Sequence, residues 1–324
     1  GWHRRAGEPH AEVHALREAG EAGEAARGAT AYVTLEPCSH HGRTPPCAEA
    51  LVEARVARVV VAAQDPNPQV AGEGIARLRA AGIAVESGLM ETAARELNAG
   101  FFARMTRGMP WVRSKIAMSL DGRTALGNGK SQWITGDAAR QDVQRWRARS
   151  CAVLTGINTV LADDARLNVR GIETPRQPLR VVLDSQLRIP LEARVLIGGG
   201  ALIYTAMRDA EKSAALEQAG ASVCVLPDGK GQVDLPAMLR DLAQRGCNEV
   251  LVEAGSILNG ALLRTGLVDE LLLYVAPQLL GDAARGMAQL GELTSLDQRV
   301  NLKWQDMRQV GNDLRIIVRM ERCL

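Results

Sequence analysis

The chain has 324 residues, 46% of them hydrophobic and 23% charged, and a formal net charge of +2. That length favours two domains over a single core, and the near-neutral balance argues against a general nucleic-acid binder, which needs a basic face. No apolar run reaches the eighteen or so residues of a membrane helix, so no membrane association is expected.

The first seven residues, "GWHRRAG", read as the end of a strand entering a loop, with chain expected upstream of Gly1. "EPHAEVHAL" (8–16) then places two histidines and two glutamates behind a proline. Next come "TAYVTL" (30–35), "RVVVAA" (58–63) and "IAVES" (83–87), β-rich runs that predict strands. "CAEALVEAR", "GEGIARLRAAG" and "METAARELNAGFFARM" carry the apolar spacing of helices. Glycine and proline in "TRGMP" (106–110) punctuate the pattern, which sets a predicted boundary between domains at 1–106 and 107–324.

The second domain opens with the strand "WVRSKIAMSL" and a turn at "DG". A helix is predicted over "TGDAARQDVQRWRARS", with Thr135 or Asp137 as N-cap. Strands follow at 152–156, 179–184, 201–205, 221–226, 249–255 and 270–276, and "NDLRIIVRM" (312–320) closes the series. Apolar strands alternating with helices predict an α/β fold on a mostly parallel or mixed sheet. The six cysteines are too dispersed for a disulfide framework, and a reducing cytoplasm suits them best.

Two of those cysteines, Cys38 and Cys47, lie in "EPCSHHGRTPPC", just after a predicted strand. Two thiolates and one imidazole make a good zinc set, and three protein ligands leave the fourth position open, as catalytic sites require. Water in that position is acidified to a pKa of about 7. The imidazole has two readings. His10 and His14, four apart, would share a helix face, but a two-histidine site leaves the cysteines idle. Alternatively His10 is the ligand and Glu12 a proton shuttle, in the pattern His-x-Glu followed by Pro-Cys and a second Cys. Residues two apart diverge inside a helix, so that pair belongs at the helix start, where Pro9 is tolerated.

"HAE" with "PC…C" resembles the zinc-dependent cytidine-deaminase-like superfamily, although eight residues separate the cysteines where the general pattern has two. The longer "EPCSHHGRTPPC" and "QDPNPQVAGEG" (64–74) resemble the pyrimidine deaminase of riboflavin biosynthesis. "SKIAMSLDGRTA", "SQWIT" and "LVEAGSILNGALL" resemble the reductase half of the bifunctional deaminase–reductase of that pathway. The resemblance implies a cytidine-deaminase-like three-layer domain followed by a dihydrofolate-reductase-like domain. It implies Zn2+ and NADPH as cofactors, small-molecule pyrimidine ribose-phosphate substrates and a homo-oligomer, dimer or tetramer. Family members carry a helix and a first strand upstream of the zinc histidine, with an asparagine-containing substrate motif that these residues lack.

The resemblance also carries site residues. His10, Cys38 and Cys47 would hold the metal, with Glu12 as the proton shuttle. His40, His41 or Arg43 in the loop between the cysteines could hold a phosphate or a pyrimidine oxygen. Lys115, in mid-strand, would be a catalytic or orienting cation, with Asp121 nearby. Ala117, Trp133, Thr159, Asp163 and Ser185 match cofactor-contacting positions, as does the run Gly255, Ser256, Ile257, Leu258, Asn259, Gly260 and Ala261. Ser131, Arg147, Leu167, Arg170 and Glu253 match substrate contacts, the two arginines suiting a sugar phosphate. Independently of the resemblance, a strand leading into a glycine-started helix at Gly255 suits phosphate, although the dinucleotide fingerprint G-x-G-x-x-G is missing.

The expected reactions are hydrolytic deamination of a diaminopyrimidinone carrying ribose phosphate, then reduction of the ribosyl group to ribityl. Two rivals are a polynucleotide or free-nucleoside deaminase with an appended binding domain, and a zinc-stabilised binding module without activity. Aromatics at 3% leave little for stacking bases, and a binding module has little use for Glu12 or an open coordination position.

Overall fold

The structure, a computed structural model, describes residues 1–3, 7–22, 26–41 and 44–321. By internal packing the chain divides into two compact units, Gly1–Arg107 and Gly108–Leu324.

In the first unit the elements run α1 (Ala11–Glu21), β1 (Thr30–Val33), α2 (Cys47–Glu53), β2 (Arg58–Val61), α3 (Glu73–Ala80), β3 (Ala84–Ser87), α4 (Glu91–Leu97) and α5 (Ala99–Arg107). The three strands form a parallel sheet in the order β1-β2-β3. Its core sets Val59 and Val61 of β2 against Ala48 and Leu51 of α2 and Ile75 and Leu78 of α3. The single helix expected over 90–105 is broken at Asn98, whose side-chain amide donates to the Ala94 carbonyl at 3.1 Å. Asparagine competes with its own backbone in this way and ends helices. Residues 1–3 carry no strand, and 4–6 lie outside the described residues.

The second unit contains β4 (Trp111–Ser119), β5 (Arg123–Ala125), α6 (Asp137–Arg149), β6 (Ala152–Gly156), α7 (Ile157–Asp163), β7 (Leu179–Leu183), β8 (Ala201–Thr205), α8 (Ala210–Gln218) and β9 (Ala221–Val225). It continues through α9 (Leu235–Gln244), β10 (Glu249–Val252), α10 (Ser256–Arg264), β11 (Glu270–Ala276), β12 (Arg285–Gly286), β13 (Leu302–Val310) and β14 (Asp313–Met320). Nine strands make one sheet in the order β13-β14-β11-β4-β10-β6-β7-β8-β9. Strands β11 through β9 are parallel, while β14 and β13 join antiparallel at one edge.

Successive residues of the central strands feed different cores. Leu154 and Val181 face one cluster with Met238 and Leu262, and Val153 and Val182 face another with Val143 and Val160. Burial on both faces is why these strands read as unbroken apolar runs. The N-cap of α6 is neither Thr135 nor Asp137 but Gly136, whose N–H donates to Asp313 of β14 at 2.8 Å. A carboxylate from a distant strand thus does the work of a local cap. Strand β13 was not anticipated. Its side chains are mostly exposed, and its pairing with β14 shifts register between Trp304 and Asp306.

The chain order creates a reversal at β6 and β10. From β6 it passes through α7 to β7 on one side, and from β10 through α10 to β11 on the other. The carboxyl ends of neighbouring parallel strands whose connections diverge leave a crevice, the usual ligand position in open α/β sheets.

Candidate active sites

In the first unit, His10 occupies the N-cap of α1 in extended conformation, with φ −73° and ψ 169°. Its ring is therefore free of the helix face. Glu12 lies in the first turn. Cys38 follows β1, and Cys47 is the first residue of α2. The His10 Nδ1 atom lies 3.6 Å from Cys38 Sγ and 3.3 Å from Cys47 Sγ. Among the described residues these three form the group able to hold a metal ion, with ligand atoms all within 4.8 Å of one another. The donor set fits zinc in charge and number. His14 stands outside the group; its Nε2 is buried with no hydrogen-bond partner among the described residues.

The electrostatics of the cluster point the same way. The Cys38 pKa is lowered to about 5, chiefly by a hydrogen bond from the Cys47 thiol and also by the Cys47 N–H and His10, against the opposing effect of burial. Cys47 is pushed up by its bond to the Cys38 sulfur, by burial and by the Glu12 carboxylate. Glu12 thus faces the same sulfur cluster without being one of its donors. Metal ligation releases such shared protons, because the ligand is the thiolate.

A residue not singled out by sequence holds this geometry. Glu36, 3% exposed, accepts backbone N–H bonds from Asp65 at 3.2 Å, Gly72 at 3.0 Å and Ile75 at 3.1 Å. It ties the segment entering Cys38 to the loop before α3. Gly74 presses against the Pro37 carbonyl, where any side chain would collide. The visible signal was a charged residue in "LEPC", between an apolar strand and a ligand cysteine. In the loop between the cysteines, His40 lies near Asp65, whose pKa is raised chiefly by burial. His41 Nε2 is 3.8 Å from Glu49. Arg43 lies outside the described residues.

In the second unit, Lys115 projects from β4 and Glu253 follows the end of β10. Arg147 of α6 grips Glu253 through Nε at 2.5 Å and Nη2 at 2.9 Å, and its Nη1 donates to the Asn168 carbonyl at 2.9 Å. Burial would raise the Glu253 pKa, but Arg147, then Lys115 and Arg170, hold it at about 2. Burial lowers the Lys115 pKa; Glu253 opposes this and Arg147 adds to it. Arg170 is exposed, with Nη1 donating to Asn168 Oδ1 at 3.1 Å. Its pKa is lowered by partial desolvation of the side chain and by the neighbouring Arg147, Arg166 and Arg194, against the opposing pull of Glu253.

Gly255 is the N-cap of α10, extended at φ −78° and ψ 175°, and a Cβ added there would meet nothing within 4 Å. The first N–H groups of a helix carry unsatisfied donors and the positive end of the macrodipole. At the β6–β10 crevice this fits a pyrophosphate. The remainder of the run is divided in its surroundings. Ile257 is 58% exposed, whereas the Asn259 amide donates to the Ala254 and Met287 carbonyls and accepts from Ser114. Gly260 packs directly on the Gln289 backbone.

The other matched positions are spread over β4, α7 and the segments that follow β5, α7 and β7. Ala117 is half-buried on β4, Thr159 and Asp163 are on α7, and Ser185 follows β7. Trp133 is 68% exposed with the Arg140 guanidinium 4.5 Å from its ring centre. Ser131 lies two residues before it, half-buried. Leu167 is 1% exposed, its side chain packed in the α6–α7 core. Asp121 is occupied by Ser119 and by the Leu280 and Gly281 N–H groups, so it braces a loop.

Comparison with known proteins finds a match for each of the two units. Residues 1–63 match the cytidine and deoxycytidylate deaminase zinc-binding region, and residues 110–316 match the RibD C-terminal domain. The riboflavin biosynthesis protein RibD of Escherichia coli strain K12 is 50% identical over 97% of this chain and 87% of its own length. A crystal form of Acinetobacter baumannii RibD superposes with a TM-score of 0.90 at 48% identity, covering 99% of this chain and 88% of that one. The diaminohydroxyphosphoribosylaminopyrimidine deaminase/5-amino-6-(5-phosphoribosylamino)uracil reductase of Thermotoga maritima gives 0.84 at 32% identity, over 97% and 86%. With both halves matched in this order along nearly its whole length, the chain belongs to the RibD family, the zinc- and NADPH-dependent bifunctional deaminase–reductases of riboflavin biosynthesis.

Proposed function

We propose that the unit before Gly108 removes ammonia from a diaminopyrimidinone bearing ribose phosphate, and that the unit after it reduces the ribosyl group of the product. The observation that carries this is the His10–Cys38–Cys47 cluster with Glu12 turned toward it. His10, Cys38 and Cys47 would hold a zinc ion, which would supply an acidified water. Glu12, beside the cluster, would be the group that accepts a proton and passes it to the departing amino group. Glu36 keeps the Cys38 segment in place while this happens, and His40 and His41 are at hand for the substrate's polar edge.

In the second unit, NADPH would supply the hydride for C1 of the ribosyl group. Ala117, Trp133, Thr159, Asp163 and Ser185 would hold it, and the Gly255 end of α10 would take its pyrophosphate. Lys115 moves a proton to the ribose ring oxygen as the ring opens. Burial makes its ammonium a readier donor than an exposed one. Glu253, kept ionised by Arg147, orients Lys115 and a ribose hydroxyl. Arg170 takes the phosphate, since several cations crowd it and a dianion relieves them. Ser131 and the Leu167 backbone complete the substrate cleft. A homo-oligomer in the cytoplasm is the setting we propose.

The test is incubation of the protein with the diaminopyrimidinone ribose phosphate, with and without NADPH. Ammonia is expected in both cases, and nicotinamide oxidation only after deamination. Ammonia release from single-stranded DNA, with none from the nucleotide, would overturn the reading.

A further inference from the structure

We infer that Asp142, gripped by Arg315 and Tyr274, is a positioning residue of the reductase reaction: it sets how α6 sits, and so where Arg147 meets Glu253. The inference rests on the roles proposed above for Arg147 and Glu253.

Arg147 joins two parts of the reductase unit. Its guanidinium takes Glu253, just past β10, and the Asn168 carbonyl in the segment after α7. Where α6 places it therefore decides both contacts. The antiparallel edge of the sheet fixes that helix at two points. At its start, Asp313 of β14 accepts the Gly136 N–H at 2.8 Å. The β13–β14 turn presses there too, since a Cβ added at Gly311 would come within 2.7 Å of the Ala138 Cβ atom. Farther along, Asp142 Oδ2 accepts the Tyr274 hydroxyl at 2.7 Å and Arg315 Nη1 at 3.0 Å.

Tyr274 of β11 and Arg315 of β14 are directly opposed in register and so share one face of the sheet. Asp313, two residues before Arg315, shares it as well. Asp142, Tyr274, Asp313 and Arg315 are all buried. Burial would raise the Asp142 pKa, but Tyr274 and Arg315 hold it below the usual carboxylate range. The same Arg315 guanidinium lies 5.6 Å from the ring centre of Trp146, the residue before Arg147. A buried carboxylate is costly, and an apolar contact could hold the helix as firmly. What the charged contact adds is one fixed rotation.

That rotation matters at the other side of α6. Five residues at about 100° each place Arg147 roughly 140° round the helix from Asp142. A side-chain tip about 6 Å from the axis moves about 1 Å when the helix turns by about 10°. Such a shift slackens the 2.5 Å and 2.9 Å bonds from Arg147 to Glu253, and misplacements of about 1 Å are costly in catalysis.

The test supplies the deaminated intermediate and NADPH to the whole protein in wild type, Asp142→Asn and Tyr274→Phe. Each substitution is made with and without Arg147→Leu, and assayed at a temperature where calorimetry shows every variant folded. Asp142→Asn should lower kcat/KM for reduction roughly 2–30-fold, with ammonia release from the first substrate unchanged. Tyr274→Phe, which removes one hydroxyl from a packed ring, should give a smaller loss in the same direction. Once Arg147 is gone, neither substitution should cost anything more, because the effect passes through that residue. A folded Asp142→Asn that reduces at the wild-type rate would overturn the inference. So would equal losses with and without Arg147, which would leave Asp142 a brace for stability alone. If Asp142→Asn does not fold, Tyr274→Phe in the two backgrounds decides by the same criteria. Arg147→Leu tests the underlying reading separately. If it leaves reduction unchanged, the roles of Arg147 and Glu253 are wrong and the inference falls with them. If it slows reduction while Asp142→Asn still adds its full loss, only the inference fails.

Discussion

Replacing Arg147 with leucine removes the counter-charge of a carboxylate that is only 12% exposed. Glu253 is lowered from 4.5 to about 2, with Arg147 the largest lowering influence against burial. At about 1.36 kcal/mol per pH unit, that gap is worth roughly 3 kcal/mol in favour of the ionised form. Because the folded-state pKa is depressed, this stabilisation is complete above pH 4.5 and disappears as the pH falls toward about 2. Arg147→Leu should therefore destabilise the second unit by about 3 kcal/mol at pH 7, in the range for breaking a buried ion pair. For a unit of this size the melting transition should fall by about 6–12 °C, and the two proteins should converge as the pH drops below 4. Scanning calorimetry between pH 3 and pH 7, with Arg147→Leu/Glu253→Leu as the partner variant, reads all of this. The double variant should regain much of the loss, since no charge is then stranded. A single variant melting within about 2 °C of wild type at pH 7, or a double variant no better than the single, would show that the pair does not hold Glu253 as described.

Other expectations concern the first unit. Cys38→Ser should lose both zinc and deamination; metal analysis still finding one zinc per chain would mean the ligands lie elsewhere. Glu12→Gln should keep its zinc while deamination falls by about 10²–10⁴, and loss of the metal in that variant would make Glu12 a ligand. Glu36→Gln puts an amide NH2 among three backbone donors, so it should cost about 1–3 kcal/mol and loosen zinc retention against a chelator. Unchanged chelation kinetics would reduce Glu36 to a bystander.

Sequence reading located these features unevenly, for physical reasons. The runs at β2, β6, β7, β8 and β11 were legible because burial on both faces forces unbroken apolar stretches. Strand β13 was not, because "LKWQDMRQV" has one partner strand and a mostly exposed surface, so neither face imposes a pattern. The helix break at Asn98 and the remote capping of Gly136 by Asp313 depend on individual hydrogen bonds, which periodicity does not encode. In the sites, residues close in sequence to a motif were readable, and partners across the fold were not. Arg147 looked like a phosphate ligand or a solvated helix residue. The structure pairs it with Glu253, 106 positions away. Glu36 was visible only as a letter two places before Cys38, and its three backbone donors, Asp65, Gly72 at the N-cap of α3 and Ile75 in its first turn, lie 29, 36 and 39 residues downstream.

The central claim is that one chain carries two separately built sites, each with its own chemistry. One stopped assay, following ammonia and reduced-nicotinamide absorbance in wild type, Glu12→Gln and Gly255→Leu, addresses it most directly. Glu12→Gln should release almost no ammonia yet oxidise NADPH normally when the already deaminated intermediate is supplied. Gly255→Leu, crowding the helix start, should release ammonia at the wild-type rate and reduce nothing. If either substitution abolished both activities in a folded protein, a single composite site would be the better account.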